Sequence, residues 1–269
     1  AAMRIWGYVA VLFGVAIALA AYATPSRAAG ACLSMPLVFE TMTAEGCPDS
    51  SRIQALLDAP LAVGPADPET GARRGVVLTA PNDDSRTQAV RTCRAYAKAV
   101  KAGWYAATQL EMNSEGFLRV ACGALLSLDI SSVAATSRFK DEGVGFDTLS
   151  LLPVDILPAL SPDTETALAN LKLGGFNVGS MIATGDVLTR SAPDGQLDLA
   201  YGGMASTYGE VARGDFNGDG TEDLLVYARH QAVNGSLQWF ELFGLSYPLG
   251  ALTYERFSPE ALRQLKPQG

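Results

Sequence analysis

Histidine is almost missing from this 269-residue chain: His230 is the only one. It has no acidic or cysteine neighbour at metal-ligand spacing, so an exposed strand position is expected for it rather than a catalytic base. No Gly-x-Ser-x-Gly elbow, His-Glu-x-x-His helix or Walker-type phosphate loop occurs, which leaves the common hydrolase, zinc-protease and nucleotide motifs without residues. The glycines between Lys172 and Gly179 lack the strand-before, helix-after setting of a dinucleotide site and read as a turn. None of the four cysteines forms a Cys-x-x-Cys pair, so the usual thiol redox motif is missing too. Basic residues number 20 against 28 acidic ones, a net charge of −8. A phosphate backbone is repelled by that balance, and nucleic acid is not an expected partner.

What is present begins with a leader. Met3-Arg4 supplies a positive start, Ile5 to Ala23 run without a charge, and small residues follow, with cleavage options after Ala28 or Ala31. That order is the pattern of a secretory signal peptide. Residues 1–28 are therefore expected to be a cleaved leader, with a retained membrane anchor as the alternative. Ala29-Gly30-Ala31-Cys32 resembles a lipoprotein box only in part, because the usual large aliphatic residue is missing. Export places the protein in the periplasm or outside the cell, where thiols meet an oxidising environment. Four cysteines allow three pairings, of which Cys32–Cys47 and Cys93–Cys122 are favoured, as staples rather than reactive groups.

With 48% hydrophobic residues the chain can bury a proper core. Residues 50–59 predict a short helix and the proline- and glycine-rich residues 60–75 a loop. Asp83-Asp84-Ser85 offers capping oxygens before a helix over Thr87–Lys101, where Val90, Cys93, Tyr96, Ala97 and Val100 recur at helical spacing. Gly103 ends that helix, and Trp104–Glu111 reads as a strand or linker. Ser114 and Glu115 start a second helix, with Phe117, Val120, Ala121, Leu125 and Leu128 on its buried face. Residues 143–163, broken by Pro153, Pro158 and Pro162, form an irregular connection.

From Asp186 the period shifts towards two. Val187–Ser191 and Gln196–Tyr201 flank Pro193-Asp194-Gly195, and Leu224–His230 and Ser236–Phe243 flank Val233-Asn234-Gly235: two hairpin signals. Ser258-Pro259-Glu260 begins a last helix over Ala261–Leu265. The expectation is an α+β fold, with a helical, disulfide-stapled region at 29–163 and an antiparallel β-rich region at 164–269. Whether these are two domains or one continuous unit is left open by the sequence.

One stretch carries chemistry. Within 215–223, oxygen-bearing side chains fall at the first, third, fifth and ninth positions, Asp215, Asn217, Asp219 and Asp223, and Thr221 can add its main-chain carbonyl. Calcium is a hard cation that takes oxygen ligands, and a tightly curling loop brings alternate residues to face one point. Gly218 and Gly220 let the loop curl. The segment Gly214–Val226 resembles the calcium loop of FG-GAP (VCBS-like) repeats, which occur in integrin-type propellers and many secreted bacterial proteins. The resemblance covers about a dozen residues and implies ligation by Asp215, Asn217, Asp219 and Asp223 with the Thr221 carbonyl. No second copy occurs at a fixed period, so a propeller is not expected. Val226 stands where an EF-hand needs its twelfth-place glutamate.

The reading is an exported calcium-binding protein with a binding or interaction role towards a protein or glycan, in which calcium serves mainly structure. Two alternatives stand beside it. One is a secreted hydrolase acting on cell-wall or other polysaccharide, with Asp141-Glu142 or Asp198 and Glu210 as an acid–base pair. The other is a membrane-tethered accessory subunit. The basic and aromatic residues Arg91, Arg94, Tyr96, Lys98, Lys101 and Trp104 form a further candidate docking face, weighed against a plain solvated helix face.

Overall fold

The computed structural model describes residues 30–139, 143–192 and 195–247 and the backbone of 253–256. The leader, Asp141-Glu142, the Pro193-Asp194 turn residues and the expected last helix lie outside the described residues.

Short polar side chains open the helices, because they accept N–H groups that a first helical turn leaves without partners. Asp49 accepts the Arg52 N–H at 2.8 Å and opens α1 (Ser50–Asp58). Thr92 opens α2 (Cys93–Lys101) and Thr108 opens α3 (Gln109–Ile130), each accepting an N–H at 3.2 Å. After the short α4 (Phe146–Leu149), Ser161 followed by Pro162 opens α5 (Pro162–Leu173), and Asn177 opens α6 (Val178–Thr184).

Ten strands are described: β1 (Cys32–Val38), β2 (Thr43–Gly46), β3 (Val76–Ala80), β4 (Asp83–Val90), β5 (Leu188–Ser191), β6 (Leu197–Tyr201), β7 (Met204–Gly214), β8 (Asp223–Ala232), β9 (Gln238–Ser246) and β10 (Thr253–Arg256). Eight form one sheet ordered β10-β9-β8-β7-β1-β2, with β6 also pairing β7 and carrying β5. Its pairings are antiparallel, and β3 and β4 form a separate hairpin. The central strand β7 is long enough to serve two partners on one edge. Met204–Tyr208 pairs with β6, while Ala212 and Arg213 pair with β1, and a register shift against β8 falls between Glu210 and Ala212.

Strand alternation separates two cores. Leu225, Tyr227 and Leu242 face the side covered by α3, where Leu118, Ala121, Cys122 and Leu125 are buried. Leu224, Val226, Ala228 and Phe243 face the other side, packing with Leu152, Ile156, Leu168 and Val178 from the residues between 143 and 187. Leu125 is fully buried, and Leu125→Ala would cost about 2–5 kcal/mol through lost contacts and the cavity left behind.

The fold is thus mixed α and β around a large antiparallel sheet, with no closed barrel or propeller among the described residues. Both favoured disulfides are formed, Cys32–Cys47 and Cys93–Cys122, the second tying α2 to α3. Both hairpin signals are hairpins, β5–β6 and β8–β9.

Several boundaries are corrected. The N-terminal region is not simply helical: it holds β1 to β4, and β1 and β2 join the C-terminal sheet through β7. Residues 83–90 are a strand rather than a helix start. Nearly all of β4 is exposed, so it shows no apolar alternation, while its partner β3 buries Val76, Leu78 and Ala80. The long helix starts at Thr108, not at Ser114. The region from 164 begins with helix, since α5 and α6 precede the strands, and the turn expected at 172–179 joins these two helices. Their apolar stripe is weak, as α5 buries only Leu168.

Candidate functional site

The oxygen-rich loop is the connection of the central hairpin. β7 and β8 stay paired down to Gly214 opposite Asp223, so Asp215 and Asp223 stand at the base of the loop and both are buried, each only 2% exposed. Asn217 and Asp219 lie at its exposed rim. Gly218 and Gly220 have φ of +79° and +83°, the left-handed backbone that glycine adopts without a steric penalty, and these two residues give the loop its curl.

Loop carboxylates and backbone hold each other. Asp215 accepts the N–H of Gly218 at 2.7 Å and of Asp219 at 3.1 Å on Oδ1, and that of Gly220 at 2.9 Å on Oδ2. Asp219 Oδ1 accepts the Thr221 N–H at 2.7 Å, and Asn217 Oδ1 accepts the Asp219 N–H at 2.9 Å. Asp223 Oδ2 accepts the Phe216 N–H at 2.9 Å, which closes the loop from its last position to its second.

Two remote segments grip the outside. After α3 the chain runs along the loop: the Ser132 N–H donates to the Asp215 carbonyl, the Ala135 N–H to the Gly220 carbonyl, and the Glu222 N–H to the Thr136 carbonyl, each at 2.8 Å. Glu222 turns towards this connection, accepting the Ser137 hydroxyl at 2.5 Å and lying 3.5 Å from Arg213. From β9, the Ser246 hydroxyl donates to Asp223 Oδ1 at 2.5 Å and accepts Asn217 Nδ2 at 3.1 Å. Sequence reasoning missed Ser246 and the 132–136 segment, since both meet the loop only through tertiary pairing.

Asp215 and Asp223 are held by hydrogen bonds rather than by ion pairs. No lysine, arginine or histidine among the described residues pairs with Asp215 or Asp223. Burial pushes the Asp223 carboxyl above its ordinary value, and the nearby Asp219 charge pushes the same way, against the hydrogen bonds from Ser246 and Phe216. Buried carboxylates normally have a counter-charge, a metal or a proton. The donor set is oxygen only: Asp215 Oδ1 already accepts two N–H groups, but Asp215 Oδ2 and the two Asp223 oxygens each accept one hydrogen bond and keep a second lone pair, which suits a hard cation. In this structure the carboxylates are directed mainly at the loop's own N–H groups. No three of His, Cys, Asp or Glu among the described residues are gathered as a group that could hold a metal.

Other candidate residues are placed differently from expectation. His230 is not exposed but 1% accessible, because strand parity puts it on the second core's side. There its Nδ1 lies 2.8 Å from Ser206 Oγ and its ring packs against Tyr208 and Trp239. Ser206 is equally buried, at 2%, so this pair is out of a substrate's reach. Asp198 and Glu210 are not coupled as acid and base: Asp198 binds Arg190 and Thr207, while Glu210 binds Arg213 and Ser34. Burial acts to raise the Asp198 carboxyl, yet the hydrogen bonds from Arg190 and Thr207 outweigh it and hold the pKa below the ordinary value, the wrong direction for a general acid.

The candidate basic and aromatic docking face is dispersed. Tyr96 is fully buried and bonded to Glu115, Arg94 pairs with Asp58, Arg91 with Glu40, and Trp104 stacks under Arg86. Comparison of the chain with family models, with curated proteins and with solved structures returned no match. Its function is therefore argued from its own residues.

Proposed function

We propose that this is an exported, disulfide-stapled calcium-binding protein with a binding role towards a protein or glycan, in which calcium clasps the central hairpin. The carrying observation is the pair of buried carboxylates, Asp215 and Asp223, with no cationic side chain beside them among the described residues, at the base of a glycine-curled loop. Asp215, Asn217, Asp219 and Asp223, with the Thr221 carbonyl, are the residues that would hold the ion. When bound, a divalent cation supplies the positive charge that these crowded oxygens lack.

The chain's part is positional. Loop N–H groups fix the rotamer of Asp215, and Ser246 orients Asp223 against Asn217. The ion's neighbourhood includes three segments far apart in sequence: the β7–β8 connection, the residues after α3 and the end of β9. Clasping them favours the folded state over the unfolded one. Extracellular calcium modules bind at about 10⁻⁴ to 10⁻³ M, and an ion at ten times its dissociation constant adds about 1.4 kcal/mol.

Export is supported by the two disulfides, which persist outside the cytoplasm, and by the leader read from the sequence. Among the described residues no helix is long and apolar enough to cross a membrane. Of the two acid–base pairs considered for hydrolysis, Asp198 and Glu210 are each paired with an arginine, which supports the binding role, and Asp141-Glu142 lies outside the described residues. Calorimetric unfolding with calcium and with chelator tests the proposal: a higher melting temperature in calcium supports it, and identical curves reject it. Intact mass of the protein recovered from its native compartment tests the leader.

A further inference from the structure

The sheet face under α3 is not fully covered. Beyond the helix, a cavity of about 320 Å³ opens over β6, β7, β8 and β9, lined among others by Phe117 of α3 and by Gln196, Asp198, Thr207, Tyr227, Arg229 and Phe240. Strand register explains its composition. Asp198 lies opposite Thr207, Thr207 opposite Arg229, and Arg229 opposite Phe240, so these four residues form one straight row across four strands on a single face. In the next row Gly209 lies opposite Tyr227, and a Cβ on Gly209 would stand 2.4 Å from the Tyr227 ring. Glycine is therefore what lets that ring lie across β7 beside the polar row.

From this arrangement we propose that the cavity is a saccharide-binding site. Its volume is at the lower end of ligand pockets, about 300–1,000 Å³. Three aromatic rings, Phe117, Tyr227 and Phe240, provide surface for the C–H faces of a sugar. Asp198, Gln196, Thr207 and Arg229 provide acceptors and donors for its hydroxyls. The lining excludes the simpler ligand classes. Asp198 is already paired with Arg190 at 2.8 Å, so a cation finds no free carboxylate, and Arg229 remains beside it as a charged donor for hydroxyls or for the carboxylate of an acidic sugar. An apolar ligand would strip water from the row's remaining donors and acceptors without replacing those hydrogen bonds, at a desolvation cost. A hydroxyl-rich ligand with apolar faces satisfies both sides. This deepens the binding role proposed above by naming its ligand, and it uses none of the calcium-loop residues, which end where β8 begins at Asp223.

Isothermal titration with cellotetraose, chitotetraose, maltotetraose and mannotetraose tests the site, run in calcium and again in chelator. Saturable binding of at least one probe is expected. Asp198→Asn and Gln196→Ala should each weaken it, with the Asp198 variant losing roughly ten-fold or more. Their melting temperatures should stay close to the parent's, because Arg190 is an exposed partner. Tyr227→Ala should abolish binding, and the two polar variants keep the test valid if that variant folds poorly. Binding of none of the four probes overturns the proposal, as does binding that all three substitutions leave unchanged. Calcium titration of the same samples separates the two readings: saccharide binding without calcium binding rejects the loop and keeps the cavity, and the reverse rejects the cavity alone.

Discussion

Ser246 donates its hydroxyl to Asp223 at 2.5 Å while accepting the Asn217 amide at 3.1 Å, so one serine on β9 links the ninth and third positions of the loop. Asp223 begins β8 and Ser246 ends β9, and the neighbouring residues Leu224 and Leu245 are paired directly. The serine acts as a lock between the loop and the sheet. Ser246→Ala should weaken calcium binding several-fold and lower stability by about 1–2 kcal/mol, since a hydrogen bond to a buried charged group is lost. Calcium titration and denaturant unfolding of the variant check both numbers.

Loop curl can be tested apart from the ligands. Gly220 has φ of +83° and no neighbour within contact distance of a modest side chain, so backbone strain is the only penalty of a substitution there. Gly220→Ala should cost about 1–2 kcal/mol in the calcium-free protein. The melting temperature in chelator checks the prediction.

Tyr96 contributes to the loss of stability at alkaline pH. Burial first, and then the Glu115 carboxylate, raise its hydroxyl far above the ordinary value of 10.0. In the unfolded chain the phenol ionises near that ordinary value, while in the folded chain it stays protonated. Its contribution is therefore complete below pH about 10 and is lost as pH rises from there towards the folded value, by roughly 1.4 kcal/mol per pH unit. Tyr96→Phe should be less stable at neutral pH by about 1 kcal/mol, yet lose less on going from pH about 8 to about 11. Melting curves of both proteins across that range decide it.

The bridge between α2 and α3 spans 29 residues. Chain-entropy reasoning gives it about 3.5 kcal/mol, slightly more than the 15-residue Cys32–Cys47 bridge at about 3 kcal/mol. Replacing Cys93 and Cys122 together by alanine should lower the denaturation free energy by about that amount or more, because both sulfurs are buried in the core. Urea unfolding of the double variant measures it.

Local chemistry was legible in the sequence, and long-range pairing was not. The β5–β6 and β8–β9 hairpins, the capped α1 and both disulfides follow from turn residues, caps and spacing that act over short distances. Three misreadings have two causes. β4 pairs with the adjacent β3 but is nearly all exposed and so shows no apolar alternation, whereas α5 has almost no buried stripe and His230 changes faces with strand register, so there the deciding partners lie elsewhere in the chain. The candidate loop was visible because its donors are contiguous. Its grip by residues 132–136 and Ser246 was not, nor was the polar row Asp198, Thr207 and Arg229, which exists only once three strands are in register.

Direct titration of calcium into the native protein, beside Asp215→Asn and Asp223→Asn, tests the central claim. One ion per chain is expected, with a dissociation constant of about 10⁻⁴ to 10⁻³ M and a clear loss in both variants. No heat and no bound calcium in the parent protein, or equal binding by all three, would contradict it.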